Sequence, residues 1–564
     1  MPQLERGFRM LATEVRGLQA AVYVLALSAI LSSLLALLRD RLLAHYFGAS
    51  TTLDIYYASF RVPDLLFVLG GALVSVYILI PELAKRTSEE KKHYIDTILA
   101  GFSCFAVVVA TGTALFAPYL LTVLFPRLFT EGHLPELVLL TRIMLLQPIF
   151  LGLSNILASI TQSSHRYALY SLSPLLYNLG IIAGTLVLYP LFGLSGLALG
   201  VVLGAFLHFA IQLPSILSDG YLRALPKIHS MCPLVDTVII SVPRALALSM
   251  SQLTFLGLTA IAGTLTSGSI AVFMFAFNLQ AVPLAVIGAS YSVAAFPTLA
   301  SALSRGERSV FIGHVATAAR YVAFWSMPAI ALIVVLRAHI VRAVLGSGAF
   351  DWTDTRLTAA ALAVLSLSLF AQGLMLLLVR AYYAAGRTFM PFFINVAMTV
   401  ATLGTALLVL GSFGNDRILT LMQQLLRIED ISGTRVLALA LAYSLVTMCG
   451  TFVLVLHFES RFGCFLRQVA RAWGESLLAA LACGVGTYAA LYFFAPITFT
   501  STTLSVLAHS FVASLSGAIV AALAYYAVGS REFSETLAAL QSRVQPLGIT
   551  VAAPAEEAGP AGPQ

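Results

Sequence analysis

What this sequence has least of is charge. Only 10% of its 564 residues are Asp, Glu, Lys or Arg, against roughly 25% in soluble globular chains. Tryptophan occurs three times and cysteine five. Cys104, Cys232, Cys449, Cys464 and Cys483 have neither metal-ligand nor disulfide-framework spacing. The ten histidines do not gather with carboxylates at ligand spacing, and no phosphate-cradling Walker loop occurs. These absences exclude a soluble domain, a zinc module and an ATPase. No hydrolase, kinase or redox constellation remains, so catalysis, a metal and a cofactor are not expected. A cleavable signal peptide is not expected either. Arg6, Arg9 and Arg16 lie among Glu5 and Glu14, and residues 1–17 read as a short cytoplasmic interfacial segment.

What is present is apolar. Hydrophobic residues make up 59% of the chain, and the mean hydropathy is +0.92. A helix needs about 20 apolar residues to cross the hydrocarbon layer. Gly17 to Leu38 supplies the first such run, and fourteen segments follow this pattern, the last centred near Ser514. The expected fold is an all-α polytopic membrane protein. An even count puts both ends on one side. Eighteen Lys and Arg fall in loops on the side of the N-terminus and nine on the other, so the positive-inside rule makes both termini cytoplasmic. The Pro/Ala/Gly-rich end "VAAPAEEAGPAGPQ" suggests that residues 531–564 are a disordered cytoplasmic tail.

The chain echoes itself. Gly71, Ala72, Ser75 and Val76 recur 217 residues later as Gly288, Ala289, Ser292 and Val293. The same offset relates Pro174 and Asn178 to Pro391 and Asn395. It spans about six helices, an even number, so the copies share one orientation, as in parallel-repeat transporters. The expected organisation is a six-helix lobe over 18–220, a second over 228–460, and two further helices over 468–530.

The few charges are not spread evenly. Arg39, Asp40 and Arg41 follow directly on an uncharged run, and the next segment carries Asp54, Arg61 and Asp64. Asp54 and Arg61 are seven apart, nearly on one helical line. Pro63 lacks the backbone N–H a helix uses, so a bend is expected there. Charge at membrane depth marks function by default. Two readings stand: a mutually neutralised structural network, or a hydrated cavity for an anionic group. Arginine suits a phosphate because its planar fork donates two bonds at once. Arg244, after Pro243, is a candidate for the same cavity from the second half. Arg142 and Arg380 read as packing or snorkelling residues. Gly70, Gly71 and Gly288 would permit close helix contact or hinging.

The stretch "RDRLLAHYFGASTTLDIYYASFRVPDLLF" resembles the opening signature of the MurJ/MviN family of lipid II flippases. "LTRIMLLQPIFLGLS" resembles that family's fourth helix and "SMSQL" its seventh, while "GSGAFDWTDTRLTAAAL" and "RAYYAAGRTFMP" resemble its loop before helix 10 and its helix 10–11 turn. The resemblance covers about residues 20–530. It implies the multidrug/oligosaccharidyl-lipid/polysaccharide exporter fold in the bacterial inner membrane, with two lobes opening alternately. It also implies lipid II as cargo, an undecaprenyl diphosphate bearing a disaccharide-pentapeptide, and a groove for the lipid tail at residues 468–530. Another polyprenyl-linked oligosaccharide, or a non-transporting scaffold among cell-wall synthesis proteins, is the alternative. By position Arg39, Asp40 and Asp54 match the family directly, and Arg61 falls where it often has a basic residue. Ser33, Phe67 and Asn278 stand where it carries basic ones. Arg39, Arg41, Arg61, Arg244 and Asn278 are therefore the expected substrate-binding set, with Asp40, Asp54 and Asp64 as their charge network.

Overall fold

The computed structural model describes residues 18–544, apart from 75, 165, 223–224, 388, 413–416, 495–497 and 499–500. The segment 1–17 and the end of the tail therefore lie outside the described residues. Among those described, every regular element is helical. Eleven helices are long and apolar enough to cross a membrane, or twelve when Trp352–Ser366 and Leu369–Ala384, bent by 44°, form one span. The expected count of fourteen is not reached among the described residues. The two expected spans outside this set are Leu18–Phe47 and Thr51–Leu73, and the second carries Asp54, Arg61 and Asp64.

The chain runs back and forth between two ends, called here the Gly48 end and the Lys85 end. Where the core lies tells the two apart. At the Gly48 end one apolar cluster takes residues from both halves of the chain, among them Leu43, Leu53 and Phe125 from the first and Ile270, Phe275 and Leu362 from the second. Toward the Lys85 end the core divides. Leu79, Ile98, Phe102 and Ile156 form a cluster of the first half, whereas Leu299, Phe311, Tyr382 and Phe458 form one of the second. Burial holds groups together in proportion to the apolar area removed from water, so the halves share one core at the Gly48 end. At the other end they keep separate cores that meet through helix Met231–Ala262, whose Leu234 packs on the first cluster and whose Thr237 hydroxyl oxygen lies 2.9 Å from that of Tyr94.

The helix Thr51–Leu73 runs through Pro63 without a break and is interrupted at Val74 instead. The corresponding helix of the second half loosens into a π-turn at Leu284–Ala289. Both irregularities fall on the duplicated Gly-Ala-x-x-Ser-Val neighbourhood. Arg380 donates to the Ala289 carbonyl at that π-turn, which fits its packing role.

Glycine sets the closest helix contacts, though only partly at the expected places. A Cβ on Gly288 would lie 2.7 Å from the Gly373 Cα, so that contact needs glycine. Gly70 and Gly71 have ordinary or slightly tight surroundings, with nearest atoms at 3.5 and 3.2 Å. The closest approach of two helix backbones among the described residues lies elsewhere: helix Tyr167–Ala183 and its extension cross Leu194–Ala210 with Gly180 on Gly204 and Gly184 on Gly200.

Helices Phe465–Tyr492 and Thr503–Val528 pack against each other and against Arg308–Val344, with the Tyr525 hydroxyl donating to the Phe324 carbonyl at 2.8 Å. The expectation of a disordered tail from residue 531 is corrected over its first part. Arg531–Val544 is helical, supported by the Arg531–Glu535 pair one turn apart. It is anchored by Glu532 on Arg320 at 3.0 Å and by Glu535 on the Tyr321 hydroxyl at 2.7 Å.

Candidate site at the seam between the halves

Helix Ser269–Pro283 of the second half carries, one helical turn at a time, the contacts that tie it to the first half. At its N-terminus the Asp54 carboxylate accepts from the Gly268 N–H (2.7 Å) and the Ala271 N–H (2.9 Å). A turn further, Arg61 Nη2 lies 3.7 Å from the Met274 sulfur. A turn beyond that, Asn278 Nδ2 donates to Asp40 Oδ2 at 3.0 Å. Positions 271, 274 and 278 share one face. The charged residues of the two opening helices thus meet a single line on a helix more than 200 residues away.

The first contact is a helix cap supplied from a distance. The first N–H groups of a helix have no partner within it, and they attract negative charge. Asp54, 4% exposed, satisfies two of them. A reciprocal bond runs the other way: Asp354 of the second half accepts from the Ala49 N–H (3.0 Å), just ahead of helix Thr51–Leu73. The turns themselves touch. The Thr51 and Ser267 hydroxyl oxygens are 2.5 Å apart, and the Ala349 N–H donates to the His45 carbonyl. Gly268, at φ 83°, has room for no Cβ, since one would lie 2.1 Å from the Ala49 carbonyl oxygen.

Deeper along Leu18–Phe47 sits Arg39, two turns or about 12 Å below the helix end. Its Nε and Nη2 both donate to Asp40 Oδ1 (2.9 and 2.8 Å), and Nη1 donates to Asn178 Oδ1 (3.3 Å). Asn178 in turn donates to Ser32 and to the Pro174 carbonyl. Asp40 is therefore held from two sides, by Arg39 within the first half and by Asn278 across the seam. The Arg39 side chain remains 20% exposed. Nearby, the buried Tyr57 hydroxyl lies within electrostatic reach of Arg39, Asp40 and Arg61 and has no hydrogen-bond partner among the described residues.

The expected arginines do not all converge. Arg41, two residues on and so about 200° around the helix, points away from Arg39. Its Nη1 donates to the Ala343 and Val344 carbonyls (2.6 and 3.1 Å), closing the C-terminus of Arg308–Val344. Arg61 is 8% exposed and also donates to the Tyr57 carbonyl. Asp64 accepts from Gln147 (3.3 Å) rather than joining the Asp54 contact. Arg244 falls on helix Met231–Ala262, but its side chain lies outside the described residues. Sequence reading missed Asp354, Gly268 and the role of Asn178. Asn178 had a signal in its recurrence as Asn395, and Asp354 in its place within "GSGAFDWTDTRLTAAAL".

Comparison with known proteins agrees with this architecture. The family model described as "Lipid II flippase MurJ" matches residues 43–508. The "Probable lipid II flippase MurJ" of Buchnera aphidicola subsp. Schizaphis graminum is 26% identical over 65% of this chain and 73% of its own length. The "Lipid II flippase MurJ" of Burkholderia cenocepacia is 26% identical over 66% and 74%. A solved "Lipid II flippase MurJ, inward closed conformation" superposes with a TM-score of 0.70 at 20% identity, covering 90% of this chain and 99% of that one. An inward-facing multidrug resistance MATE family transporter of the MOP superfamily gives 0.61 at 14% identity, covering 79% and 99%. With the family model spanning most of its length, this chain belongs to the lipid II flippase MurJ family.

Proposed function

We propose that this protein moves lipid II from the inner to the outer leaflet of the bacterial cytoplasmic membrane by alternating access, with Arg39 as the principal grip on the diphosphate. The Gly48 end is then the outer one and both termini are cytoplasmic. The observation that carries this reading is the divided core. The halves share one core and a line of polar contacts at the Gly48 end, whereas at the Lys85 end their buried cores are separate and they meet through the start of helix Met231–Ala262. Such a molecule opens to one side at a time.

Arg39 stands beside the line, partly exposed, with a fork suited to two phosphate oxygens. An arriving diphosphate competes with Asp40 for that fork. Asp40, released from Arg39, is then uncompensated beside the arriving negative charge, and that repulsion falls on its hydrogen bond to Asn278 across the seam. Loss of the Asp40 and Asp54 contacts lets the Gly48 end part and presents the headgroup to the other side. Outward movement of an anionic head is favoured by an inside-negative potential, by about 2.3 kcal/mol per charge per 100 mV. Helices Phe465–Tyr492 and Thr503–Val528, packed on Arg308–Val344, would carry the lipid tail along their apolar faces.

Complementation of a flippase-depleted bacterium tests this. The wild-type chain restores growth. Arg39→Ala does not, although folded protein reaches the membrane in normal amount. Failure of the wild-type chain at normal expression, or growth with Arg39→Ala, refutes the reading.

A further inference from the structure

A cavity of about 600 Å³ lies at the Gly48 end, above the Asp54–Gly268 contact. Small-molecule sites are roughly 300–1,000 Å³. Its walls come from both halves of the chain. Arg127 is supplied by the short helix Pro126–Thr130 of the first half. The turn 264–266, the amphipathic helix Arg417–Leu426 and the loop 431–435 come from the second. The lining brings together two guanidinium groups, Arg127 and Arg435, with the hydroxyls of Thr266 and Thr434 and the amide of Gln423. No lining residue is acidic among those described.

The walls are built rather than incidental. Gln423 Nε2 donates to Thr434 Oγ1 at 2.9 Å, tying helix to loop. Gly433, at φ 81°, lets the loop approach the turn so closely that a Cβ there would lie 2.9 Å from Thr266 Oγ1. Glu131 takes the Nε hydrogen of Arg127 at 2.7 Å, which sets the guanidinium's orientation. Arg435 is exposed.

The geometry points to a binding site here for an anionic sugar headgroup, a phosphate on a sugar with the hydroxyls taken by Thr266, Thr434 and Gln423. Guanidinium groups pair with phosphate oxygens through charge-assisted bonds, and hydroxyls and amides suit a polyol. An occupant spanning Arg127 and Arg435 ties the halves together where the seam has to part, so it favours the closed Gly48 end and slows the next opening. The site stands on its own lining. Its position on the product side rests on the orientation given under Proposed function. The headgroup has two possible sources: released cargo still on its lipid, or a free sugar phosphate.

The test uses the full chain in lipid nanodiscs and binding measured by calorimetry. The probes are N-acetylglucosamine 1-phosphate, neutral N-acetylglucosamine, and a polyprenyl diphosphate sugar incorporated in the disc. The wild-type chain binds at least one phosphorylated probe and not the neutral sugar. Arg127→Gln with Arg435→Gln weakens that binding at least about tenfold. Binding of the soluble probe identifies a free ligand. Binding of the lipid-linked probe alone, lost in the double variant, identifies released cargo. No binding to either phosphorylated probe, or equal binding by the double variant, overturns the site. Because complementation is scored separately, failure to flip lipid II with binding intact refutes the flippase reading and leaves this site standing.

Discussion

Asp54 caps a helix whose N-cap, Gly268, lies 214 residues after it: its Oδ2 is 2.7 Å from the Gly268 nitrogen. The same carboxylate reaches Ala271, and Asp354 returns the arrangement by accepting from Ala49. Each half of the molecule thus supplies an acid to the start of a helix in the other. These bonds exist only while the Gly48 end is closed.

Removing one of these acids should therefore shift the balance of states more than it harms the fold. A lost cap costs about 0.5–2 kcal/mol, and 1.4 kcal/mol is tenfold in an equilibrium constant. Asp54→Ala is expected to raise, by about tenfold, the rate at which a cysteine at position 267 reacts with a membrane-impermeant maleimide added outside. Asp354→Ala should do the same. An unchanged rate in both would mean that the caps do not hold the closed state.

At the Asp40–Asn278 contact, the direction of each substitution is fixed by charge. Asn278→Ala leaves Asp40 to Arg39 alone and removes a hydrogen bond to a charged group, worth about 1.5–3 kcal/mol. Thermal unfolding of the purified protein should show the loss. Asn278→Arg keeps a donor at that place and adds a charge, so it should be at least as stable as the wild type. Lower stability for Asn278→Arg than for Asn278→Ala would contradict this pairing.

The glycines divide into two sets. Gly288→Ala and Gly200→Ala push a methyl group to 2.7 and 2.3 Å from a facing backbone atom, and overpacking of this kind costs about 1–3 kcal/mol. Gly70→Ala meets nothing closer than 3.5 Å and should be neutral. Tm values of the three variants in one detergent check the order. A Gly70 variant as damaged as the Gly200 one would overturn it.

Much of the scaffold is legible in the residues. Long uncharged runs specify helices that cross a membrane, and the Gly71/Gly288 echo marks a place where both copies of a helix are irregular. Arg39 and Asp40 stand out as charges inside an apolar segment. What could not be read is direction and distance. Arg41 is as prominent as Arg39 in sequence, yet it turns to the Ala343 carbonyl because each residue advances about 100° around a helix. Asp54 gives no local hint that its partners are backbone N–H groups more than 200 residues on. Gly180, Gly184, Gly196, Gly200 and Gly204 do carry a signal, small residues four apart. Reading it would have located the tightest helix pair.

That the Gly48 end must part for function is tested most directly by a reversible lock. Thr51 and Ser267, with hydroxyl oxygens 2.5 Å apart across the seam, are replaced by cysteine in a chain without its native cysteines, and the pair is cross-linked in a flippase-depleted strain. Growth should stop on oxidation and return with reductant, while either single cysteine variant grows under both conditions. Normal growth with the cross-link fully formed would contradict it.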